Sequence, residues 1–127
     1  MQKKNITLIL LAVVGVAVII IAVYFLFFKS GCTDCPTLKY FHLGACAFCQ
    51  QMDPVMDEVK KGYRRKVNIV YVDMDRPSGK ERARGEGVMG TPTLLFYDRH
   101  GELVFRLQGA QPCELIERQL DDLLKRE

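Results

Sequence analysis

Five cysteines stand out in this chain of 127 residues, and four of them form two Cys-x-x-Cys pairs. Cys32 and Cys35 make the first pair, Cys46 and Cys49 make the second, and Cys113 is left over. Such pairs form disulfides or redox centres in an oxidising compartment, whereas in a reducing one they more often bind metal or perform catalysis. The cysteine spacing therefore points to thiol chemistry, and the elements around each pair decide its kind.

The second pair lies where a strand is predicted to meet a helix. Residues 38–42 form a short strand candidate, and we expect a helix from Cys46 to about Lys61, kinked at Pro54. A helix N-terminus offers free N–H groups and partial positive charge, and both stabilise a thiolate. We therefore predict that Cys46 attacks a substrate disulfide and that Cys49 resolves the mixed disulfide. The alternative is a purely structural disulfide.

The elements that must position this pair follow from hydrophobic patterning. Residues 67–72 are rich in β-branched side chains and predict a second strand, buried on both faces. Further along we expect a short polar helix over 78–84, strands over 93–97 and 102–107 joined by a hairpin, and a last helix from Pro112 to about Lys125. The order β-α-β-α-β-β-α predicts an α/β fold, with a four-stranded mixed sheet and helices on both faces.

An uncharged run of 23 residues, 6–28, precedes this domain. As a helix it would span ~35 Å, enough to cross a bilayer core of ~30 Å. A cleaved signal peptide would have a shorter apolar region of ~7–15 residues. Lys3 and Lys4 lie before the run, and this slight bias places the N-terminus in the cytoplasm. We expect a single-pass anchor in the cytoplasmic (inner) membrane at 1–29, a juxtamembrane linker at 30–36, and a domain in the periplasm or cell exterior at 37–127.

The charge balance of the domain argues against one class of partner. From Lys29 onward, 16 basic residues oppose 15 acidic ones, and no face or run is strongly basic. Nucleic-acid binding is therefore not expected.

Four separated features of residues 37–125 are shared with a known family. A Cys-x-x-Cys beginning at Cys46 opens a helix, and Pro54 lies eight residues after that cysteine. Thr91 and Pro92, between Gly90 and Thr93, lead into an apolar strand. Glycines in the hairpin and before the last helix complete the set: Gly101 and Gly109. In these features the chain resembles the thioredoxin family.

The resemblance implies a cis peptide bond at Pro92 and a loop that packs beside the cysteines. Thr91 would offer backbone groups to an extended substrate, so that binding uses main-chain hydrogen bonds. The implied reaction is dithiol–disulfide exchange with protein substrates, without a dissociable cofactor and without a bound metal. A tethered dithiol must be recycled, so we expect a membrane electron donor or an oxidant as partner.

The chain also departs from the family pattern near the cysteines. Ala47 and Phe48 stand between them where thioredoxins have Gly-Pro, and Tyr40 and Tyr71 align with the family's buried acid and its Lys partner. His42 lies four residues before the first cysteine of the pair. An imidazole there could lower a thiol pKa or carry a proton, although a packed strand histidine is the simpler interpretation. The family's first strand and helix are missing. We treat Ala47, Phe48 and His42 as modulators of the site.

The first cysteine pair leaves three interpretations open. Cys32 and Cys35 are a second redox pair that exchanges electrons with Cys46 and Cys49, or they are a local disulfide or plain linker thiols, or they are ligands to zinc. Ten residues separate Cys35 from Cys46, which is acceptable for a tetrahedral site made by four thiolates, those of Cys32, Cys35, Cys46 and Cys49.

Two further alternatives stay open, one for the function of the domain and one for the role of Cys113. A non-catalytic thioredoxin-like module would bind clients through the groove at Thr91 and Pro92 without reacting with them. Cys113 is either a reactive thiol at a helix start or a small core residue, and the second is the commoner role of a lone cysteine.

Overall fold

A computed structural model of the chain describes residues 2–28, 32 and 34–126. They belong to two compact units, Met1–Ser30 and Gly31–Glu127. The first unit is a single helix, α1 (Gln2–Phe28). Over Gln2–Leu26 this helix is long and apolar enough to cross a membrane, as its sequence predicted.

The second unit contains four strands and three helices in the order expected from the sequence. They are β1 (Thr37–His42), α2 (Ala47–Tyr63), β2 (Asn68–Asp73), α3 (Pro77–Gly85), β3 (Thr93–Tyr97), β4 (Leu103–Gln108) and α4 (Cys113–Lys125). The predicted boundaries differ from these by at most two residues, which is the usual difference at the ends of elements. α2 passes through Pro54 without interruption, and the kink expected there stays a prediction.

The sheet has the strand order β2-β1-β3-β4. β1 pairs in parallel with β2 and antiparallel with β3, and β3 pairs antiparallel with β4. Successive residues of β1 point to opposite faces of the sheet. Tyr40 packs with α2 and α4 on one face, whereas Phe41 packs with Ala83 of α3 on the other. This period of two places helices on both faces of the sheet, and the predicted mixed α/β fold is confirmed.

The prediction that β2 is buried on both faces is wrong. Only Val72 of this strand is buried, Asn68 is exposed, and Tyr71 is 37 % exposed. The reason is position, because β2 lies at the edge of the sheet and pairs only with β1. A β-branched run favours a strand but does not distinguish an edge strand from a central one.

The junction of β2 and α3 depends on a glycine. A Cβ atom added at Gly79 would collide with the backbone carbonyl of Asp73, the last residue of β2. Only glycine therefore lets the start of α3 approach the end of β2 so closely. The loop at this junction contains Asp75, which contacts Gly44, two residues before Cys46.

Candidate active site

Cys46 is the N-cap residue of α2. Its backbone is extended, with φ −87° and ψ 115°, and its Sγ accepts a hydrogen bond from the Cys49 N–H at 3.3 Å. A hydrogen bond from the Cys49 side chain does most to lower the pKa of Cys46. Hydrogen bonds with the Thr91 side chain and with the backbone N–H groups of Cys49 and Phe48 add to it, against partial burial. The site therefore favours a thiolate at Cys46.

Cys49 has the opposite character. It is 1 % exposed and lies in the first turn of α2. Burial raises its pKa, and its hydrogen bond to Cys46 raises it further. Of the two thiols, the partly exposed Cys46 is thus prepared to attack an incoming disulfide, while Cys49 is protonated and shielded.

The Thr91–Pro92 loop lies beside the first sulfur. The Thr91–Pro92 peptide bond is cis, as the family resemblance implied, and Cys46 Sγ lies 3.8 Å from the Thr91 carbonyl oxygen. The Pro92 carbonyl accepts from the Gly109 N–H at 2.8 Å, which ties the loop to the end of β4. The fold therefore brings together two residues that are 45 positions apart in the sequence.

The turn that precedes Cys46 is held by hydrogen bonds to both backbone polar groups of Gly44. The Gly44 N–H donates to the Asp75 carboxylate at 2.7 Å, and the Gln50 side-chain amide donates to the Gly44 carbonyl at 3.1 Å. Sequence reasoning did not identify Asp75. The signal was available, because β1 and β2 are parallel and residues that follow their carboxyl ends meet at the same edge.

Exposed apolar side chains are close in sequence to Cys46 and to Thr91. Phe48, between the cysteines, is 60 % exposed, and Met89, two residues before Thr91, is 95 % exposed. Ala47 is exposed as well. This surface suits contact with an apolar segment of another protein.

His42 is packed among aromatic rings. Its ring stacks on Tyr40 with centroids 5.3 Å apart and meets Tyr71 edge-on at 6.1 Å. The groups that shift the pKa of Cys46 are instead Cys49, Phe48 and Thr91. A modulating role for His42 stays a prediction, and its contacts are those of a packed strand histidine.

The first cysteine pair lies at the other end of β1. Cys32 and Cys35 form a disulfide, with Cα atoms 5.6 Å apart, and they precede the strand that Cys46 follows. A strand of six residues is about 20 Å long, so direct transfer between the two pairs of one chain is not favoured. Within residues 2–28, 32 and 34–126, no three Cys, His, Asp or Glu side chains form a metal-binding group. The two pairs lie at opposite ends of β1, which separates the four thiolates that one zinc site would need.

Cys113 begins α4 but does not resemble Cys46. It is partly buried and packs against the core cluster that contains Tyr40. Burial raises its pKa, and nearby carboxylates, of which Glu117 has the largest effect, raise it further. Its environment is that of a packed residue, in agreement with the commoner role expected for it.

Known proteins are similar to this chain in sequence. A family model described as a thioredoxin-like domain matches residues 22–124. A thioredoxin from Alicyclobacillus acidocaldarius is 34 % identical over 92 residues, covering 72 % of this chain and 85 % of that protein. A thiol:disulfide interchange protein, TxlA homolog, from Synechocystis is 29 % identical over 92 residues; the match covers 72 % of this chain and 51 % of that protein.

Solved structures agree on the fold. A mutant thioredoxin from Halobacterium salinarum superimposes with a TM-score of 0.64 at 24 % identity, over 72 % of this chain and 78 % of that one. Thioredoxin O2 from Arabidopsis thaliana gives 0.63 at 23 % identity, over 72 % and 76 % of the two chains. Together with the site geometry, these matches identify the chain as a member of the thioredoxin family of thiol–disulfide oxidoreductases.

Proposed function

We propose that this protein is a membrane-tethered thiol–disulfide oxidoreductase that exchanges disulfides with protein substrates outside the cytoplasm. Residues 1–29 are its anchor, 30–36 its linker and 37–127 its catalytic domain. The observation that supports the chemistry is the position of one sulfur. Cys46 Sγ lies 3.3 Å from the Cys49 N–H and 3.8 Å from the Thr91 carbonyl, at the start of a helix.

The proposed reaction has two displacement steps. The Cys46 thiolate attacks one sulfur of the substrate disulfide, and the other substrate sulfur leaves as a thiolate. The Cys49 thiolate then attacks Cys46 Sγ, forms the Cys46–Cys49 disulfide and releases the second substrate sulfur. Two electrons pass from the cysteine pair to the substrate, and a membrane electron donor restores the dithiol; an oxidant partner would drive the reverse direction.

Two residues are proposed to hold the substrate during these steps. Thr91 and Pro92 form the wall of the groove beside Cys46, and an extended substrate segment pairs with the backbone there. Phe48 and Met89 extend this wall with exposed apolar surface.

The redox roles are tested by replacing one sulfur at a time. We expect Cys46→Ser to abolish reduction of insulin disulfides, and Cys49→Ser to accumulate a mixed disulfide between Cys46 and the substrate. Cys113→Ser is the matched control, because Cys113 also begins a helix, and it should retain activity. Absence of activity in the wild-type protein under both reducing and oxidising conditions would favour the non-catalytic binding module.

The anchor and its orientation need a separate experiment. A bulky, membrane-impermeant maleimide should label Cys46 in right-side-out membrane vesicles and not in inside-out ones. A Gln2→Cys variant is the control, since residue 2 precedes the apolar run and should be labelled only in inside-out vesicles. Recovery of the chain in the soluble fraction, without residues 1–28, would show that the helix is a cleaved signal sequence instead.

A further inference from the structure

The second displacement step needs a proton acceptor, because Cys49 is buried and protonated. Burial is the main cause of its raised pKa. When Cys46 is bonded to the substrate in a mixed disulfide, it carries no charge that opposes ionisation of Cys49. Burial of Cys49 still opposes its ionisation. The proton on Cys49 must therefore leave through a group that reaches into the protein interior.

One buried polar group lies beside Cys49, the hydroxyl of Tyr40. Tyr40 is completely buried, and its Oη lies 3.2 Å from the Cys49 carbonyl oxygen and 3.4 Å from Asp53 Oδ1. The charges of Cys49, Asp53 and Cys46 all act on this hydroxyl. Burial, together with these charges, raises the pKa of Tyr40 strongly and keeps the phenol neutral. A neutral phenol can accept one proton while it donates another.

Asp53 connects this hydroxyl to water. Asp53 lies one turn after Cys49 on α2 and is exposed, whereas Tyr40 is on β1 and is buried. The two distances to Tyr40 Oη allow two hydrogen-bond patterns. With Asp53 ionised, Tyr40 donates to its carboxylate; with Asp53 protonated, the carboxyl donates to Tyr40 Oη and Tyr40 donates to the Cys49 carbonyl.

We propose that Tyr40 and Asp53 form the path by which the proton of Cys49 leaves during the second step. This proposal rests on the redox roles proposed above for Cys46 and Cys49. The thiol proton passes to Tyr40 Oη while the Tyr40 proton passes to the Asp53 carboxylate, and Asp53 then releases it to water. The Cys49 thiolate attacks Cys46 Sγ, the bond between Cys46 and the substrate breaks, and the substrate thiolate takes a proton from solvent.

Other titratable groups surround the pair and define the controls. The rings of His42 and Tyr71 pack on Tyr40 with centroids 5.3 and 5.6 Å away. Asp57 acts on Tyr71 by its charge, and Lys60 Nζ lies 5.2 Å from the Tyr71 ring. Asp57→Asn is therefore the matched control for Asp53→Asn, because it removes the same charge one turn further along α2 without touching Tyr40.

The test separates the two displacement steps in one reaction. Dithionitrobenzoate reacts with the reduced full-length chain in detergent, and each step releases one coloured thionitrobenzoate. Cys32, Cys35 and Cys113 are replaced by Ser, so that Cys46 produces the first release and Cys49 the second. Absence of the first release would contradict the proposed roles of the cysteines themselves, independently of the proton path.

The expected result is a change confined to the second release. Asp53→Asn and Tyr40→Phe should each slow it by about tenfold or more at neutral pH, Asp53→Glu should restore part of the rate, and Asp57→Asn should leave it within about twofold. In the two slow variants the second rate should keep rising with pH from about 6 to 9, as expected when hydroxide replaces the internal acceptor.

The sign of the Asp53→Asn effect decides between two roles. If Asp53 acted only through its charge, its removal would make ionisation of Cys49 easier and the second release faster. A faster or unchanged second release in Asp53→Asn, with a normal first release, overturns the proposal and leaves the cysteine roles intact.

Discussion

Cys46 and Cys113 both lie at the start of a helix, yet their surroundings shift their pKa values in opposite directions. Cys46 caps α2 and Cys113 is the first residue of α4, so both are close to free N–H groups at a positive helix end. The pKa of Cys46 is lowered by hydrogen bonds from Cys49, Thr91 and Phe48. The pKa of Cys113 is raised by burial and by carboxylates, chiefly that of Glu117.

The difference shows that a helix start does not by itself make a thiol reactive. At α2 the sulfur takes the N-cap position and accepts a backbone hydrogen bond, while at α4 the N-cap is Pro112 and provides no side-chain hydrogen bond. Carboxylates are among the main causes of the pKa shift of Cys113, whereas the main causes at Cys46 are hydrogen bonds. Local hydrogen bonds and charges therefore decide which of the two does chemistry.

The largest expected effect contrasts the two cysteines directly. Cys46→Ser should lower the rate of insulin reduction by at least about a thousandfold, because the nucleophile is lost. Cys113→Ser should stay within about twofold of wild type. Comparable losses in the two variants would remove the distinction between the thiols.

The second effect is a difference in pH dependence. The alkylation rate of a thiol follows the fraction present as thiolate. The lowered pKa of Cys46 means that its alkylation rate reaches the maximum at lower pH than for an ordinary thiol. The raised pKa of Cys113 means that its alkylation rate reaches the maximum at higher pH. At pH 7 we expect Cys46 to react with iodoacetamide more than about tenfold faster than Cys113. Peptide mass spectrometry of the reduced chain across a pH series measures the alkylation rates of both cysteines. Superimposable pH profiles would contradict the prediction.

A smaller effect should follow from making the surroundings of Cys113 more like those of Cys46. Glu117→Gln removes the carboxylate with the largest effect on Cys113 and should raise its alkylation rate at pH 7 about two- to fivefold. Glu114→Gln should give a smaller increase, since its charge contributes less. Glu102→Gln, in the hairpin, is the control and should change nothing. An increase as large in the control would mean that net charge, not position, sets the pKa.

The smallest effect concerns the turn that positions Cys46. Asp75→Ala removes the acceptor of the Gly44 N–H and should slow the reaction of Cys46 with dithionitrobenzoate about two- to threefold. Asp75→Asn keeps an oxygen that can accept the same hydrogen bond, and should retain most of the rate. Equal losses in both variants would assign the effect to charge instead of to the hydrogen bond.

Much of the fold could be predicted because its signals are local. Residues 38–42 indicated a short strand, and helical spacing indicated α4. The cis Thr91–Pro92 bond was predicted through the family resemblance, not from spacing. The exposure of β2 could not be predicted, because whether a strand lies at an edge depends on which partners the rest of the chain supplies.

The amino-acid sequence alone determined the kind of chemistry, the apolar N-terminal helix and the order of the elements, since each depends on residue types a few positions apart. Only the tertiary structure decided which distant residues surround the site of the predicted nucleophile, Cys46. The contacts between Cys46 and Thr91, between Gly44 and Asp75, and between Tyr40 and Asp53 join different elements of the fold. Such contacts exist only once strand order and helix packing have brought residues distant in sequence within hydrogen-bond reach.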